Sequence, residues 1–202
     1  LSDGFVITVL FWIVLSVSGS IPFLLFGFGI VDSFFESMSG ITTTGATVIA
    51  GLDDLPKSLL IYRQLLQWLG GMGLIVLAIA VMPLLGIGGG QLFKTQTPGP
   101  MSEQRLTPRI TSTARALWSI YFVLTVLCIF AYRLAGMNNF DAVSHAFSTV
   151  SIGGFSTHDL SIGFFDSLSI EIVCITFMLL SAMSFAVHYS AIYRKQVLKY
   201  FY

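Results

Sequence analysis

Two polar stretches that contain glycine and several hydroxyl side chains interrupt an otherwise apolar chain. Residues 39–47 read Ser-Gly-Ile-Thr-Thr-Thr-Gly-Ala-Thr, and residues 148–157, which begin 109 positions later, read Ser-Thr-Val-Ser-Ile-Gly-Gly-Phe-Ser-Thr. Because long apolar segments flank both stretches, each is predicted to lie at membrane depth, where irregular backbone must be buried by protein or line a watery path. Rings of backbone carbonyls can compensate a cation for its lost water. The two stretches therefore predict a cation pathway.

The residue types in these stretches suit that chemistry. Successive carbonyls can point inward only where the backbone visits conformations that glycine adopts easily, and Gly45 and Gly154 occupy such positions. A short helix before each stretch would direct its C-terminal carbonyl end, with about half a negative charge, toward the membrane interior. Hydroxyl groups that could line or brace the first stretch come from Thr42, Thr43, Thr44 and Thr47.

The composition is that of a membrane protein. The 202 residues are 55% hydrophobic and 10% charged, with a mean hydropathy of +0.85, whereas a soluble domain carries about 25% charged residues. This apolar composition makes membrane lipid the expected environment, and because the net charge is zero, the composition gives no argument for a nucleic-acid partner. Cys128 and Cys174 lie inside apolar runs without disulfide or metal-binding spacing and are predicted to be buried hydrophobic residues.

Four apolar runs are long enough to cross a membrane, which takes about 20 residues. They predict spanning helices at residues 5–28, 58–85, 114–135 and 168–192, with Pro22 kinking or ending the first. Residues 32–39 and 140–148 are too short to span and predict two half-membrane helices, the first beginning at a cap provided by Asp32 or Ser33. The predicted fold is therefore an all-α membrane protein.

The chain aligns with itself without gaps at an offset of 109 residues. The identical pairs at matching points of the half-helix and loop are Asp32/Asp141, Ser39/Ser148 and Gly45/Gly154. The unit, which is a helix, a half-helix, a loop and a helix, crosses the membrane twice, so two successive units share one orientation and form a parallel repeat.

These features predict three regions. Residues 1–90 form the first unit with its loop at 41–47 (the first loop), and residues 114–202 form the second unit with its loop at 150–156 (the second loop). Residues 91–113 form a polar, basic connecting loop. If the half-helices enter from outside, the cytoplasmic side receives both termini of the chain and seven of the ten basic residues: Lys94, Arg105, Arg109, Arg115, Arg194, Lys195 and Lys199.

Several ionisable side chains in this scheme have more than one possible role. Glu36 and His145 occupy equivalent positions in the half-helices and either attract or gate ions, or pack or make a hydrogen bond inside the bundle. Arg63 and Arg133 are expected to snorkel to the outer interface or to pair with an outer acid. His158 is expected to be an exposed loop residue.

Enzyme chemistry finds no support in the sequence. It contains no His-Glu-x-x-His metal motif, no Gly-x-Ser-x-Gly nucleophile elbow and no nucleotide-binding loop of the Walker type. The alternative to a cation pathway is a non-transporting membrane interaction module in which the loops serve only for packing.

Three segments of the sequence resemble one family. Residues 34–47 resemble the first pore loop of the Trk/Ktr potassium transporter superfamily, residues 67–73 the helix that follows it, and residues 140–159 the second pore loop. The similarity is closest to the Trk-type potassium-uptake membrane subunit. In that family, four helix–pore–helix units surround one potassium-channel-like pore, and each unit gives one filter segment with a central glycine.

The resemblance implies roles for individual residues. Gly45 and Gly154 would be the central glycines of two filter segments. Potassium, as the transported substrate, would be coordinated by the carbonyls of Thr43, Thr44, Ile152 and Gly153, and the segments would be supported by Thr42, Thr47 and Ser151. No cofactor is implied. Whether potassium enters by symport with protons or by passive conduction stays open.

The resemblance also implies an assembly. The family subunit is a homodimer in the bacterial inner membrane and binds a cytosolic nucleotide-binding regulatory subunit. A filter needs four segments around the ion, and this chain contains two. Because its two loops differ in sequence, we expect the remaining two repeats to belong to the same longer protein; association of two copies of this chain is the alternative.

Overall fold

The computed structural model describes residues 2–81, residues 106–183 and residue 188. Several predicted features lie outside these ranges: residues 82–85 of the second helix, residues 91–105 of the connecting loop, most of the fourth helix beyond residue 183, and the basic residues Lys94, Arg105, Arg194, Lys195 and Lys199.

The described residues form helices in an order that occurs twice. A long helix, a 12-residue helix, a loop with a short 3-10 turn and another long helix follow one another in each half. The six helices are α1 Ser2–Leu25, α2 Ile30–Ile41, α3 Lys57–Val81, α4 Leu106–Leu134, α5 Asn139–Val150 and α6 Leu168–Ala182, and the 3-10 turns are Leu52–Asp54 and Ser161–Phe165. The described chain is therefore helical, as the sequence predicts.

Two of the described long helices have the length and the apolar composition of membrane-spanning helices. Thr8–Leu25 within α1 and Ala114–Leu134 within α4 are long and apolar enough to cross a membrane, and Leu168–Ala182 is a shorter apolar helix. α3 has 25 residues, about 37 Å at 1.5 Å per residue, but it buries polar side chains such as Arg63 and Gln67. Both side chains hydrogen-bond to the glycine-containing loops.

The 12-residue helices are longer than predicted but still too short to span. α2 begins at Ile30 with Gly29 as its N-cap and no side-chain capping bond, so the prediction of a cap at Asp32 or Ser33 is wrong. α5 begins after Asn138, whose side chain accepts a hydrogen bond from the amide of Asp141 at 3.0 Å. Twelve residues give about 18 Å of helix, against a hydrocarbon core of about 30 Å.

The long helices also differ from their predicted limits. α4 begins at Leu106 rather than Ala114, so helix replaces the last part of the predicted connecting loop; Pro108 lies in its first turn, where the missing N–H has no helical partner to lose. α1 contains Pro22 and ends at Leu25, which agrees with the expectation that Pro22 kinks or ends it.

Two buried clusters form the core, and α3 contributes to both. The first cluster contains Phe23, Ile41, Ile49, Leu52, Leu59, Leu60 and Leu66. The second contains Met72, Tyr121, Cys128, Tyr132, Met137, Ala142, Ala146, Val150 and Ile170. Cys128 is buried, as predicted, and partly buried Cys174 packs against its cluster. Because α3 packs on both sides, its position fixes the two halves of the described chain relative to each other.

Candidate ion pathway at the two glycine-containing loops

The first loop begins with a tight C-terminal turn of α2. The amide of Thr44 donates to the carbonyl of Ser39 at 2.9 Å, and the amide of Thr43 donates to the carbonyl of Gly40 at 3.0 Å. This pair of bonds is a Schellman motif, which ends a helix and satisfies its last carbonyls. Thr43 occupies the left-handed position of the motif, with φ of 56°.

The second loop begins with the same turn at the end of α5. The amide of Gly153 donates to the carbonyl of Ser148 at 2.8 Å, and the amide of Ile152 donates to the carbonyl of Thr149 at 3.1 Å. Ile152 is the left-handed residue, with φ of 55°, and it lies 109 positions after Thr43. The repeat seen in the sequence therefore extends to individual backbone hydrogen bonds.

A left-handed threonine and a left-handed isoleucine are unusual. The same motif ends α1 and α4, and there the left-handed residues are Gly27 and Gly136, with φ of 95° and 108°. For a residue with a Cβ this conformation costs about 1–2 kcal/mol. Thr43 and Ile152 therefore hold backbone strain at the point where each 12-residue helix turns into its loop, a feature that clusters at functional sites. Sequence reasoning missed it, because neither residue type signals a left-handed turn.

The glycines of the two loops bring the loops into backbone contact. Gly45 and Gly154 have positive φ, 77° and 87°. A Cβ added to Gly45 would lie 3.0 Å from the carbonyl carbon of Gly153, closer still to its oxygen, and 3.5 Å from the Cα of Gly154. The first loop can approach the second this closely only because residue 45 has no side chain.

Hydroxyl groups brace the turn into each loop at equivalent positions. The Thr42 hydroxyl donates to the carbonyl of Met38 at 2.7 Å and shares a hydrogen bond with Thr44 at 2.8 Å. Ser151, which is equivalent to Thr42, donates to the carbonyl of Ser148 at 3.2 Å. The Thr42 and Ser151 hydroxyls thus bond to the ends of α2 and α5; their role as supports of a filter stays a prediction.

A buried ion pair holds the far end of the first loop. The side chains of Arg63 in α3 and Glu36 in α2 are fully buried, and Arg63 Nη2 lies 2.6 Å from Glu36 Oε1. The Thr47 hydroxyl donates to Glu36 at 2.8 Å and accepts from Arg63 Nη2 at 3.0 Å, and the amide of Val48 donates to Glu36 at 3.3 Å. Of the two roles considered for Glu36, the structure shows hydrogen bonding inside the bundle. Arg63 does pair with an acid, but it is buried and does not snorkel to the outer interface.

The second loop has a counterpart of this arrangement in which a histidine replaces the glutamate. His145 is equivalent to Glu36 and is also buried; its Nδ1 lies 3.0 Å from the carbonyl oxygen of Asp141, and its Nε2 lies 2.9 Å from the Ser156 hydroxyl. A carbonyl only accepts, so Nδ1 carries a proton and donates to Asp141. In both units a polar side chain of the 12-residue helix thus binds a hydroxyl eleven residues later.

One face of α3 reaches the second loop as well as the first. Arg63 donates to the carbonyl of Ser156 at 3.2 Å, and the Gln67 side-chain oxygen accepts from the amide of Phe155 at 3.1 Å. A Cβ on Gly71 would lie 3.0 Å from Cβ of Ser151. Residues spaced by four share one face of a helix, so this face of α3 positions the second loop.

Gln67 also explains why the two loops differ in sequence. A Cβ on Gly153 would lie 2.7 Å from Gln67 Nε2, with the other side-chain amide atoms nearer. The equivalent residue of the first loop is Thr44, which is exposed. The first glycine in Ser-Ile-Gly-Gly therefore leaves room for a side chain of the other unit, and the sequence alone gives no signal of that contact.

A histidine–carboxylate bridge joins the segments that follow the first and the second loop. His158 pairs through Nδ1 with Asp53 of the first unit and lies through Nε2 3.2 Å from Asp141 of the second. The Asp159 carboxylate accepts from the amides of Gly51 and Leu52, both at 3.1 Å. His158 stacks on Phe164 with ring centroids 3.5 Å apart and its side chain is 15% exposed, so the expectation of an exposed loop residue is wrong.

This bridge leads to a pH prediction for Asp53. Its hydrogen bonds with His158 and with the amide of Asp159 lower the pKa of Asp53 below its ordinary 3.8. The contribution of Asp53 to stability is therefore fully present above about pH 4 and is lost as the pH falls through the lower, folded-state pKa. We expect Asp53→Asn to lower the unfolding temperature by about 2 °C at pH 7, with a difference that disappears as the pH falls through the lowered pKa of Asp53. Thermal unfolding of both proteins in detergent across this range checks it.

The control for that prediction is Asp54→Asn. Asp54 is an exposed neighbour of Asp53 in the same 3-10 turn, so its replacement is expected to leave the unfolding temperature unchanged at every pH. An equal decrease for both variants would show that the histidine bridge does not stabilise the segments that follow the two loops.

The second loop also borders a cavity of about 500 Å³ between α5, the 3-10 turn and α6. Ile152 and Gly154 of the loop, His145 and Glu171 are among its lining residues. The second loop is thus held by α3 on one side and faces this cavity on the other.

Arg133 is exposed and bonds locally to the carbonyl of Met137, so it contacts neither loop.

Comparison with known proteins gives one consistent result. Residues 1–201 match the model of the TrkH family, described as a cation transport protein. Among curated relatives, the Trk system potassium uptake protein TrkH of Halomonas elongata is 57% identical over 202 residues, covering 98% of this chain and 42% of the relative. The protein of the same name from Vibrio parahaemolyticus is 57% identical over 192 residues, covering 94% of this chain and 40% of the relative.

A solved structure agrees with the sequence matches. The crystal structure of the potassium transporter TrkH from Vibrio parahaemolyticus superimposes with a TM-score of 0.81 at 55% identity, covering 94% of this chain and 38% of that chain. This chain spans about two fifths of the length of the relatives it matches.

Proposed function

Because the chain belongs to the TrkH family of cation transport proteins, we propose that it takes part in potassium uptake across a membrane and supplies two segments of a carbonyl-lined filter. Its relatives are named as Trk system potassium uptake proteins. The observation that carries the proposal is the pair of equivalent loops, which follow identical helix-ending turns and meet at Gly45 and Gly153.

The proposed ion ligands are backbone carbonyls of both loops. Potassium would bind at Thr43, Thr44, Gly45, Ile152, Gly153 and Gly154. The left-handed residues Thr43 and Ile152 turn the chain sharply after each helix, and the positive φ of the two glycines changes the direction of the following carbonyls. The carbonyl ends of α2 and α5 add a partial negative charge on the same side, and this favours a cation.

The neutral Glu36–Arg63 pair suits such a pathway. A lone buried arginine beside the loops would repel a cation, whereas pairing with Glu36 at 2.6 Å leaves no net charge. The N–H groups of Arg63 donate to Thr47 and Ser156 and so hold the two loops in place. We propose that Glu36 and His145 act as supports of the loops and not as ion ligands.

The proposed assembly follows the resemblance. Residues 1–90 and 114–202 would be two units of a four-unit ring in a bacterial inner membrane, with both ends of the chain on the cytoplasmic side. Two further units would complete the filter, because an ion needs ligands on all sides. A homodimer that binds a cytosolic nucleotide-binding regulatory subunit is part of the same proposal.

The function is tested in a full-length transporter. In a chimera, this chain replaces the matching segment of the Vibrio parahaemolyticus relative, and rubidium uptake is measured in liposomes. We expect uptake comparable to that of the unmodified relative, and an approximately tenfold or larger loss in Gly154→Asp, because a side chain at this φ costs about 1–2 kcal/mol and brings a charge to the filter.

Two results would contradict the proposal. A folded chimera without rubidium uptake would favour the non-transporting membrane interaction module. Uptake that Gly154→Asp leaves unchanged would remove the second loop from the ion pathway, because a Cβ at residue 154 meets no atom within 4 Å among the described residues and the variant can fold.

A further inference from the structure

We propose that Arg63 is the positioning residue that sets the distance between the two loops and thereby the preference of the filter for potassium over sodium. This inference rests on the proposed function and assigns to one side chain a role in ion discrimination. It follows from where the donors of the guanidinium point, from what the second unit has at the equivalent position, and from the burial of the whole group.

The guanidinium of Arg63 is the point where both loops and one helix meet. Its Nε donates to Glu36 of α2 at 2.8 Å, Nη2 donates to Thr47 at 3.0 Å, and Nη1 donates to the carbonyl of Ser156 at 3.2 Å. Thr47 and Ser156 each lie two residues after the central glycine of their loop. One rigid, planar group therefore fixes equivalent points of both loops at the same time.

The second unit has no arginine of its own for this task. At an offset of 109 residues, Glu36 corresponds to His145 and Thr47 to Ser156, but Arg63 corresponds to Ile172, whose side chain is 53% exposed. Ile172 has no side-chain donor. The second loop thus depends on the first unit for the charged contact that the first loop receives from within its own unit.

The surroundings of Arg63 prevent it from adopting other geometries. Its side chain is fully buried, and the guanidinium carbon lies 4.4 Å from the ring centroid of Phe155 of the second loop. Stacking restricts the plane of the fork, and Glu36 restricts its rotation within that plane. A shift of Arg63 would therefore change the position of the second loop relative to the first.

The size of a carbonyl cage affects which ion replaces its water at the lower cost. If the two loops are held at a fixed separation, a smaller ion such as sodium cannot draw them together. If they are free to close, this discrimination weakens while a cation can still pass. Arg63 is thus expected to act on the ratio of potassium to sodium transport more than on the presence of transport.

The test uses the liposome chimera with four variants: Arg63→Lys, Arg63→Gln, Glu36→Gln combined with Arg63→Gln, and Arg133→Lys. The double variant removes the ion pair without leaving an unpaired buried charge, so it can fold where a single change fails. Arg133 is an exposed arginine outside both loops and serves as the matched control. The measurements are the ratio of potassium to sodium flux and the rise in unfolding temperature caused by each ion.

We expect the double variant to lower the potassium-to-sodium flux ratio about tenfold, because the hydrogen bonds from Arg63 to both loops are lost. Arg63→Lys, which keeps the charge but not the planar fork, should fall between the double variant and the unmodified chimera, and Arg133→Lys should match the unmodified chimera. An unchanged ratio in the double variant would overturn the inference.

The two proposals can fail separately. If the folded chimera carries no potassium, the proposed function fails, and the ion-dependent unfolding temperatures then decide on Arg63. A greater stabilisation by potassium than by sodium that disappears in the double variant would support the positioning role. The same potassium preference in both proteins, or none in the unmodified chimera, would overturn it.

Discussion

Replacement of Gly45 by alanine is expected to lower rubidium uptake by the liposome chimera at least about 100-fold. A Cβ at residue 45 would lie 3.0 Å from the carbonyl carbon of Gly153 and nearer still to its oxygen, and these backbone atoms cannot rotate away as a side chain can. The loops must therefore separate, and a misplacement of about 1 Å at a site of this kind can cost about 100-fold in rate. Positive φ at residue 45 adds about 1–2 kcal/mol of strain.

Gly154→Ala is the matched comparison for this result. Gly154 is the equivalent glycine and has a similar φ of 87°, but a Cβ there meets no atom within 4 Å among the described residues. Only the conformational strain remains, so we expect about a tenfold loss of uptake. Equal losses in the two variants would show that strain alone matters and that the close approach of the loops at Gly45 does not.

Gly70→Ala is expected to destabilise the fold by about 3 kcal/mol, the upper part of the usual range for overpacking. A Cβ at Gly70 would lie 2.6 Å from the carbonyl carbon of Ile41 and 3.0 Å from its Cα. Ile41 is the last residue of α2, so the clash would force α3 away from the turn that leads into the first loop. The unfolding temperature of the purified chimera in detergent measures the effect.

Gly73→Ala in the same helix is the control. A Cβ at Gly73 has no neighbour within 4 Å among the described residues, and alanine is a better helix former than glycine by about 1 kcal/mol. We expect an unchanged or slightly raised unfolding temperature. A decrease as large as that of Gly70→Ala would mean that loss of helix flexibility, rather than the approach of α3 to Ile41, explains both results.

The glycines of α3 show which contacts a sequence pattern predicts and which it leaves undetermined. A run of glycines in an apolar helix predicts that a neighbour approaches closely, but it does not say which glycine is approached or by what. In the structure, Gly70 faces Ile41, Gly71 faces Tyr121 and Ser151, and Gly73 meets no atom within 4 Å in the described part of the chain. Three glycines of one short motif thus have different tolerances, which are set by the neighbours that α3 meets.

The polar face of α3 is a second case. Glu36 in a half-helix requires a partner if it is buried, because an unpaired buried charge is costly. The sequence offers both Lys57 and Arg63 nearby in the chain, and it gives no reason to connect Arg63 with Ser156, 93 residues away. His158 shows the same limit, since a polar residue in a loop is expected to be exposed, while here two aspartates and Phe164 enclose it.

The sequence by itself determined the helical membrane class, the helix order that occurs twice, the two loops and the positive φ of Gly45 and Gly154. These features depend on hydrophobic length, on an internal repeat and on the conformational freedom of glycine, all of which are properties of the local chain. Only the tertiary structure decided that Thr43 and Ile152 are left-handed, that the loops touch at Gly45 and that Arg63 holds both. Such contacts depend on how α3 packs between the two units, and residue type and spacing along the chain do not specify that packing.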